Sequence, residues 1–368
     1  MYNDDFLQHK LDERIQQDAL RALTLPSGKI DFCSNDYIGI VKNGLLKIND
    51  ADAFSYSYGS TGSRLLAGNY ELIEQTEKQI ATFHKTEAAA IYNSGYDANT
   101  GVLSCVPQRG DTILYDALSH ASIRDGIRLS FAQSFSFAHN DMDQLELRLQ
   151  QAKGNVFIVT ESVFSMDGDV CPLNELVALS NKYNAHLVID EAHSTGTIGE
   201  SGEGLVQSMG YADHVFCRIH TFGKAVGCHG AAVVGSTRLK KYLVNFSRSF
   251  IYSTALPEEA VHRISTSYNV FPGLSEERKK LGELIQYFQS ADIAYEKFKS
   301  LTPIQVVMVP GNTAIKALAQ KLQENNIDVR AILYPTVPKE KERLRIVLHS
   351  FNTVEEVEML AGLLKSEV

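Results

Sequence analysis

Short apolar runs alternate with stretches of helical periodicity through most of the chain. Ala88–Tyr92, Thr112–Tyr115, Val156–Thr160, His186–Asp190, His214–Cys217 and Ala231–Val234 are mostly apolar and are bounded by polar or glycine-containing turns. Runs of that length without strict alternation predict strands buried on both faces. Between them, Asp143–Ala152 and Pro172–Tyr183 predict helices, the second with proline in its first turn. Earlier, residues 8–24 predict an amphipathic helix that ends near Pro26-Ser27-Gly28, and Ile30–Cys33 predicts a short strand. Leu72, Ile73, Ile80 and Phe83 recur at helical spacing, with Asn69 placed as an N-cap. The alternation predicts an α/β fold built on a large, mostly parallel sheet with helices on both faces.

Beyond Val261 the pattern changes. Charged helical stretches (Glu276–Phe298, Ala314–Asn326) alternate with short strands at Gln305–Met308, Arg330–Ile332 and Leu344–Leu348. This predicts a smaller α+β domain. The expected organisation is an N-terminal segment (1–40), a large domain (41–256) and a small C-terminal domain (257–368), with the boundary near Leu256-Pro257.

Composition narrows the function classes. A chain of 368 residues, 44% hydrophobic, holds enough apolar material for a sizeable core. Its formal net charge of −9, with no basic cluster, argues against nucleic-acid binding. The five cysteines (Cys33, Cys105, Cys171, Cys217, Cys228) are scattered, with no Cys-x-x-Cys pair, which fits a reducing compartment and no zinc site. The acidic start, Met1-Tyr2-Asn3-Asp4-Asp5, is unlike a signal peptide, and no apolar run reaches spanning length. A cytoplasmic protein without a membrane anchor is expected.

The chemistry concentrates at two places. His186–Asp190 ends an apolar run in Asp190-Glu191-Ala192-His193, and about thirty residues later comes Thr221-Phe222-Gly223-Lys224-Ala225. A lysine among small and apolar neighbours suits a Schiff base, because burial lowers the pKa of its amine. A carboxylate at a strand end suits the pyridine nitrogen of pyridoxal phosphate, keeping it protonated so that the ring accepts electrons. A P-loop is excluded, since Arg218 stands where the first glycine is needed and Ala225 where Ser or Thr would bind magnesium. Asp190 and His193 could be half of a metal site, but no second ligand cluster accompanies them, so no metal is expected.

Other segments leave alternatives open. His120, in Ser119-His120-Ala121-Ser122, suits stacking on an aromatic ring or a plain surface position. Asn93-Ser94-Gly95-Tyr96 follows a strand and opens a helix, which makes either an anion site or an ordinary turn. Gly59-Ser60-Thr61-Gly62-Ser63-Arg64 predicts a loop whose backbone approaches something closely, a neighbouring subunit or substrate. Arg343 and Arg345 fall on one face of a C-terminal strand, where one can reach a carboxylate or both can face solvent.

Taken in order, these segments resemble the α-oxoamine synthases. These are fold-type I pyridoxal 5'-phosphate enzymes that condense an amino acid with an acyl thioester and release CO₂. The resemblance runs nearly end to end, through Ser34-Asn35-Asp36-Tyr37, Gly59–Arg64, Asn93–Ala98, Ser119–Ser122, Glu161–Gly168, Asp190–His193, Thr221–Lys224, Ile251–Thr254 and Arg343–Arg345. It implies that Lys224 is the Schiff-base lysine and proton shuttle, and that Asp190 is the partner of the pyridinium. It implies His193 and Ser165 as donors to the phenolic oxygen, His120 as the stacking ring, and Gly95, Tyr96 and Thr221 as phosphate ligands. Thr254, with Ser253, is implied to reach the phosphate from the partner subunit of a homodimer, and Asn35 and Arg345 to hold the amino-acid carboxylate. Ser60–Leu65 and Pro335-Thr336-Val337-Pro338 most resemble the members of the family that use alanine with a pimeloyl thioester, a biotin-pathway pair, rather than those using glycine or serine with other acyl groups. Two stretches depart from the family pattern. Cys228 and His229 follow the lysine where small uncharged residues are usual, and Gly68-Asn69-Tyr70 lacks a histidine often found nearby.

Overall fold

The computed structural model describes residues 2–23, 25, 28–47 and 56–366. Pro26 and Ser27, where the first helix was expected to end, lie outside the described residues. The chain divides into two compact units: one holds Ile38–Ser165 and Val170–Arg278, and the other holds the chain up to Tyr37, Met166–Asp169 and the chain from Lys279.

The larger unit is built on seven strands: β1 (Ala88–Tyr92), β2 (Thr112–Asp116), β3 (Gln133–Phe137), β4 (Val156–Glu161), β5 (His186–Asp190), β6 (Cys217–Thr221) and β7 (Ala231–Gly235). They lie in the order β1-β7-β6-β5-β4-β2-β3. The pairs from β6 through β3 are parallel, and β7 is antiparallel to both of its neighbours. Alternation then divides each run between two apolar layers. Ile113, Val159, Val188, Ile219 and Val233 pack on one face with Val102 of helix α1 (Gly95–Cys105) and Ile123 of α2 (Ala121–Arg128). Leu114, Ile158, Leu187 and Ile189 pack on the other with Leu145 and with Leu176 of α3 (Leu173–Tyr183). Burial on both faces is why the runs read as continuous rather than alternating.

Two strands differ from the expectation. β3 (Gln-Ser-Phe-Ser-Phe) carries no continuous apolar run because it is a sheet edge with only Phe137 buried. β6 starts at Cys217, later than the expected His214, which sits in a short 3-10 turn (Ala212–His214). The register Val188↔Cys217 and Asp190↔Ile219 draws the buried polar residues Arg218 and His220 into the strand.

Helix ends also moved. The helix Glu71–Phe83 is capped at Tyr70 rather than Asn69, whose side chain instead accepts from Arg64 Nε and donates to Glu74. Pro172 occupies the N-cap of α3, one position before the helix. The first helix runs Gln8–Gln16, not to residue 24, because Asp18 takes a left-handed conformation (φ 50°). Ser275–Ser290 stops short of Phe298, and Lys297 instead bridges to Val307. Contacts change hands at Arg278–Lys279, later than Leu256-Pro257, because Glu258–Val270 packs on Glu71–Phe83, with Gln79 bonded to Ser265 and Asn269.

In the smaller unit, β8 (Ile304–Met308), β9 (Arg330–Ile332) and β10 (Arg343–Val347) form an antiparallel sheet in the order β9-β10-β8. Ile30–Asp31 pairs in parallel with Ile327–Asp328. Val306, Leu344 and Ile346 are fully buried.

Candidate active site

The carboxyl ends of β5 and β6 bring the principal candidates together, where ligands of parallel α/β sheets sit. β1 feeds the turn Asn93-Ser94, and Ser94 caps α1 by accepting from the Asp97 amide (3.1 Å). Gly95 opens the helix directly against Thr221, the last residue of β6. A Cβ on Gly95 would stand 2.3 Å from Thr221 Oγ1, so only glycine permits this approach. The amides of Gly95 and Tyr96 come too early in the helix for an intrahelical acceptor. With the Thr221 hydroxyl they make a cradle shaped for an anion at a positive helix end.

Asp190 is nearly buried and held from two sides: Asn99 Nδ2 donates to Oδ2 (2.7 Å) and the Ala192 amide to Oδ1 (2.9 Å). Asn99 also donates to Ser122 Oγ (3.0 Å), and Ser122 lies 2.8 Å from His120 Nδ1. The Ser122 amide donates to the same nitrogen (3.2 Å), which makes Nδ1 an acceptor and leaves the ring proton on Nε2. A chain of polar contacts therefore fixes Asp190 and His120 together.

Beneath them lies Glu161, fully enclosed, accepting from the His120 amide (2.7 Å) and from the Ser165 amide. Burial, with Asp190 nearby, pushes its pKa up to about 8. The carboxyl is thus largely neutral at pH 7.

Lys224 stands on the tight connection between β6 and β7. Phe222 and Cys228 close it (Cys228 N to Phe222 O, 2.8 Å), and buried Phe222, Ala225 and Val226 anchor its flanks. Lys224 Nζ reaches His193 Nε2 at 2.7 Å. Asp190 and Lys224 both act electrostatically on His120 and on Glu161, so the amine with its paired imidazole, the fixed carboxylate and the oriented histidine are close neighbours.

The remaining candidates make contacts of their own. Thr254 is exposed, its carbonyl held by Asn93 Nδ2 (2.8 Å), and together with Ser253 it leads into Ala255. Thr254 pairs with Ser63, and Ser60 Oγ donates to Ala255 O (2.7 Å), so the Gly59–Arg64 loop makes its close approach within its own chain. In the smaller unit Arg345 Nη2 donates to Asn35 Oδ1 (3.1 Å), and Tyr37 donates to the same oxygen (3.0 Å). Arg343 is instead paired to Asp167 and lies over Phe298, which leaves Arg345 as the arginine beside Asn35.

Asn99, Ser122 and Glu161 had no assigned role from sequence. The signal for Asn99 was present: it is a polar residue one turn after Gly95, on the helix face shared with the apolar Ala98 and Val102.

Pyridoxal phosphate fits this set of groups: an amine, a buried and braced carboxylate, an oriented imidazole and a helix N-terminus beside a hydroxyl. The sheet and these residues define a fold-type I pyridoxal phosphate enzyme. The profile of the aminotransferase class I and II family matches residues 27–364. An 8-amino-7-oxononanoate synthase of Emericella nidulans is 40% identical over 97% of this chain and 93% of that protein. Another, from Lysinibacillus sphaericus, is 40% identical over 91% and 87%. Among solved structures, the Francisella tularensis 8-amino-7-oxononanoate synthase aligns at TM-score 0.78 and 29% identity, covering 92% of this chain and 97% of that one. The Sphingomonas wittichii serine palmitoyltransferase aligns at TM-score 0.85 and 28% identity, covering 98% and 96%. The chain belongs to the class I and II aminotransferase family, in its α-oxoamine synthase branch, and is a pyridoxal phosphate-dependent acyltransferase.

Proposed function

We propose that this acyltransferase condenses L-alanine with a pimeloyl thioester, of CoA or of a carrier protein, to give 8-amino-7-oxononanoate, CO₂ and free thiol in biotin synthesis. The observation that carries the reading is Lys224 Nζ against His193 Nε2, with the braced Asp190 close enough to act on the same neighbouring side chains. The relatives named 8-amino-7-oxononanoate synthase support that product over those of the alternatives. Serine with a long acyl group is the second reading, favoured by the likeness to serine palmitoyltransferase; glycine with a short acyl group is a third.

When bound, pyridoxal phosphate supplies an electron sink next to the amino acid's Cα. Lys224 would hold the cofactor through its amine, and its Nζ would be the group that moves the Cα proton when a substrate is bound. His193 is placed to accept a hydrogen bond from that amine before release, and to donate with Ser165 toward the phenolic oxygen. Asp190, held by hydrogen bonds from Asn99 and the Ala192 amide, would pair with the ring nitrogen. His120, oriented by Ser122, covers the ring face.

Gly95, Tyr96 and Thr221 would receive the phosphate, and Ser253 and Thr254 of a second copy of the chain would complete that site in a homodimer. Asn35 and Arg345 hold the amino-acid carboxylate. The protein's share is thus positioning and electrostatics. Among the described residues no helix is long and apolar enough to cross a membrane.

Assays of CO₂ and thiol release test the reading, with alanine, glycine and serine each offered pimeloyl-, acetyl- and palmitoyl-CoA. Alanine with pimeloyl-CoA is expected to give the highest kcat/KM, by about tenfold or more, the scale of discrimination that well-fitted side-chain contacts supply. A higher value for glycine with acetyl-CoA or serine with palmitoyl-CoA would overturn the substrate assignment.

A further inference from the structure

Alternation on β6 sends Arg218 and His220 to one side of the strand and Ile219 and Thr221 to the other. Ile219 packs in the layer beside α1, from which Asn99 reaches Asp190. The opposite side carries a polar cluster that the reaction does not use. Glu191, Arg218, His220 and His84 are all buried to within about 1% exposure there.

Glu191 Oε1 accepts from the Val206 amide (3.0 Å) and the Ser194 hydroxyl (3.1 Å). Its Oε2 forms an ion pair with Arg218 Nη1 at 3.8 Å and lies 3.8 Å from His220 Nε2, but none of the three atoms has a hydrogen-bond partner. Arg218 Nη2 donates to the His84 carbonyl, and the His84 and His220 rings stack with centroids 3.6 Å apart.

The tautomer of His220 follows from Thr195. That hydroxyl donates its single proton to the Glu191 carbonyl (2.7 Å), so toward His220 Nδ1, 2.8 Å away, it can only accept. His220 therefore carries its proton on Nδ1 and presents a lone pair at Nε2. Burial, with His84 and Arg218 adding to it, holds the ring well below the ordinary imidazole pKa, which keeps it neutral.

Two acceptors, Glu191 Oε2 and His220 Nε2, thus face one unpaired donor, Arg218 Nη1. At 3.8 Å neither nitrogen is within hydrogen-bond reach of Glu191 Oε2, and buried polar atoms are rarely left unpaired. One water resolves all three, by donating to both acceptors and accepting from the guanidinium.

We propose that Glu191, Arg218 and His220 bind one structural water and with it clamp the ends of β5 and β6, making Glu191 a positioning residue for Asp190 and Thr221. Glu191 follows Asp190 in the chain and its amide donates to Ile219 O (2.8 Å), while His220 precedes Thr221. A shift on the buried side is therefore transmitted through one peptide unit to each cofactor-facing residue.

The proposal rests on the cofactor site described above, and the test separates the two. Cofactor dissociation constants, the visible absorption band of the loaded protein, and kcat against KM are measured for wild type, Glu191→Gln, His220→Asn and the double variant. Each single change is expected to weaken cofactor binding by about tenfold or more, the scale usual for residues acting through another. Each should also shift the band and lower kcat more than it raises the amino-acid KM. The double variant is expected to lose no more than the worse single, because both break one unit.

Losses that multiply, or wild-type affinity and spectrum in the single variants, overturn the clamp. Wild-type protein that takes up no cofactor overturns the clamp and the site together. Should a variant fail to fold, a high-resolution crystal structure of wild type decides, with density for a water within hydrogen-bond reach of all three atoms expected and its absence contrary.

Discussion

Glu161 shows how much one enclosed side chain can set. Its folded pKa, about 8, lies above the 4.5 of an ordinary glutamate, so the folded protein holds the proton more tightly than the unfolded chain. That contribution to stability is full below about pH 4.5 and is lost as pH rises through about 8. Glu161→Gln mimics the neutral acid and removes the titration. In cofactor-free protein, the fall in unfolding free energy across this range should become shallower, by at most ~1.4 kcal/mol per pH unit. Denaturant unfolding at stepped pH measures it, and parallel slopes in wild type and variant would argue against a raised pKa.

Lys224, Asp190 and His193 were legible as residues, because their order and flanks meet a chemical requirement that few sequences meet by chance. Asn99 and Ser122 were not, since their importance lies in reaching Asp190 and His120 from elements far away in sequence.

At the scale of elements, the buried runs gave away their strands because double burial enforces apolar side chains throughout. β3 escaped because an edge has no such need, and the start of β6 escaped because Arg218 and His220 are polar yet buried. Helix ends escaped for a local reason: Asp18 and the Tyr70 cap are backbone choices that periodicity does not record. The junction of β1, the Gly95 turn and β6 is the most constrained of these connections. In Gly95→Ala the new Cβ would meet Thr221 Oγ1 at 2.3 Å, so the turn or the strand end must move. Cofactor affinity is expected to fall about tenfold or more, as sub-ångström to ångström misplacement of a binding group does. Fold stability should change little. Titration with pyridoxal phosphate checks this, and an unchanged dissociation constant would remove the turn from the phosphate site.

At the scale of the whole molecule, the division into two units was the least legible feature. Met166–Asp169 belongs with the smaller unit although it sits in mid-chain, where Asp167 pairs with Arg343 and the Gly168 carbonyl accepts from Ser300 and Thr302. Long-range pairings of this kind leave no periodic trace. The proposed sharing of Thr254 between subunits makes a sharp expectation for mixed dimers. Lys224→Ala and Thr254→Ala protein, mixed and allowed to exchange subunits, should regain one site with both wild-type residues, and with it wild-type cofactor affinity in a fraction of the sites. If Thr254 serves its own subunit, mixing restores nothing.

The account turns on the amine of Lys224, and one measurement reaches it directly. Protein incubated with pyridoxal phosphate is reduced with borohydride, digested and mapped by mass spectrometry. A phosphopyridoxyl adduct on Lys224, absent in Lys224→Ala, is the expected result; an adduct confined to other lysines, or no adduct at all, would contradict the assignment.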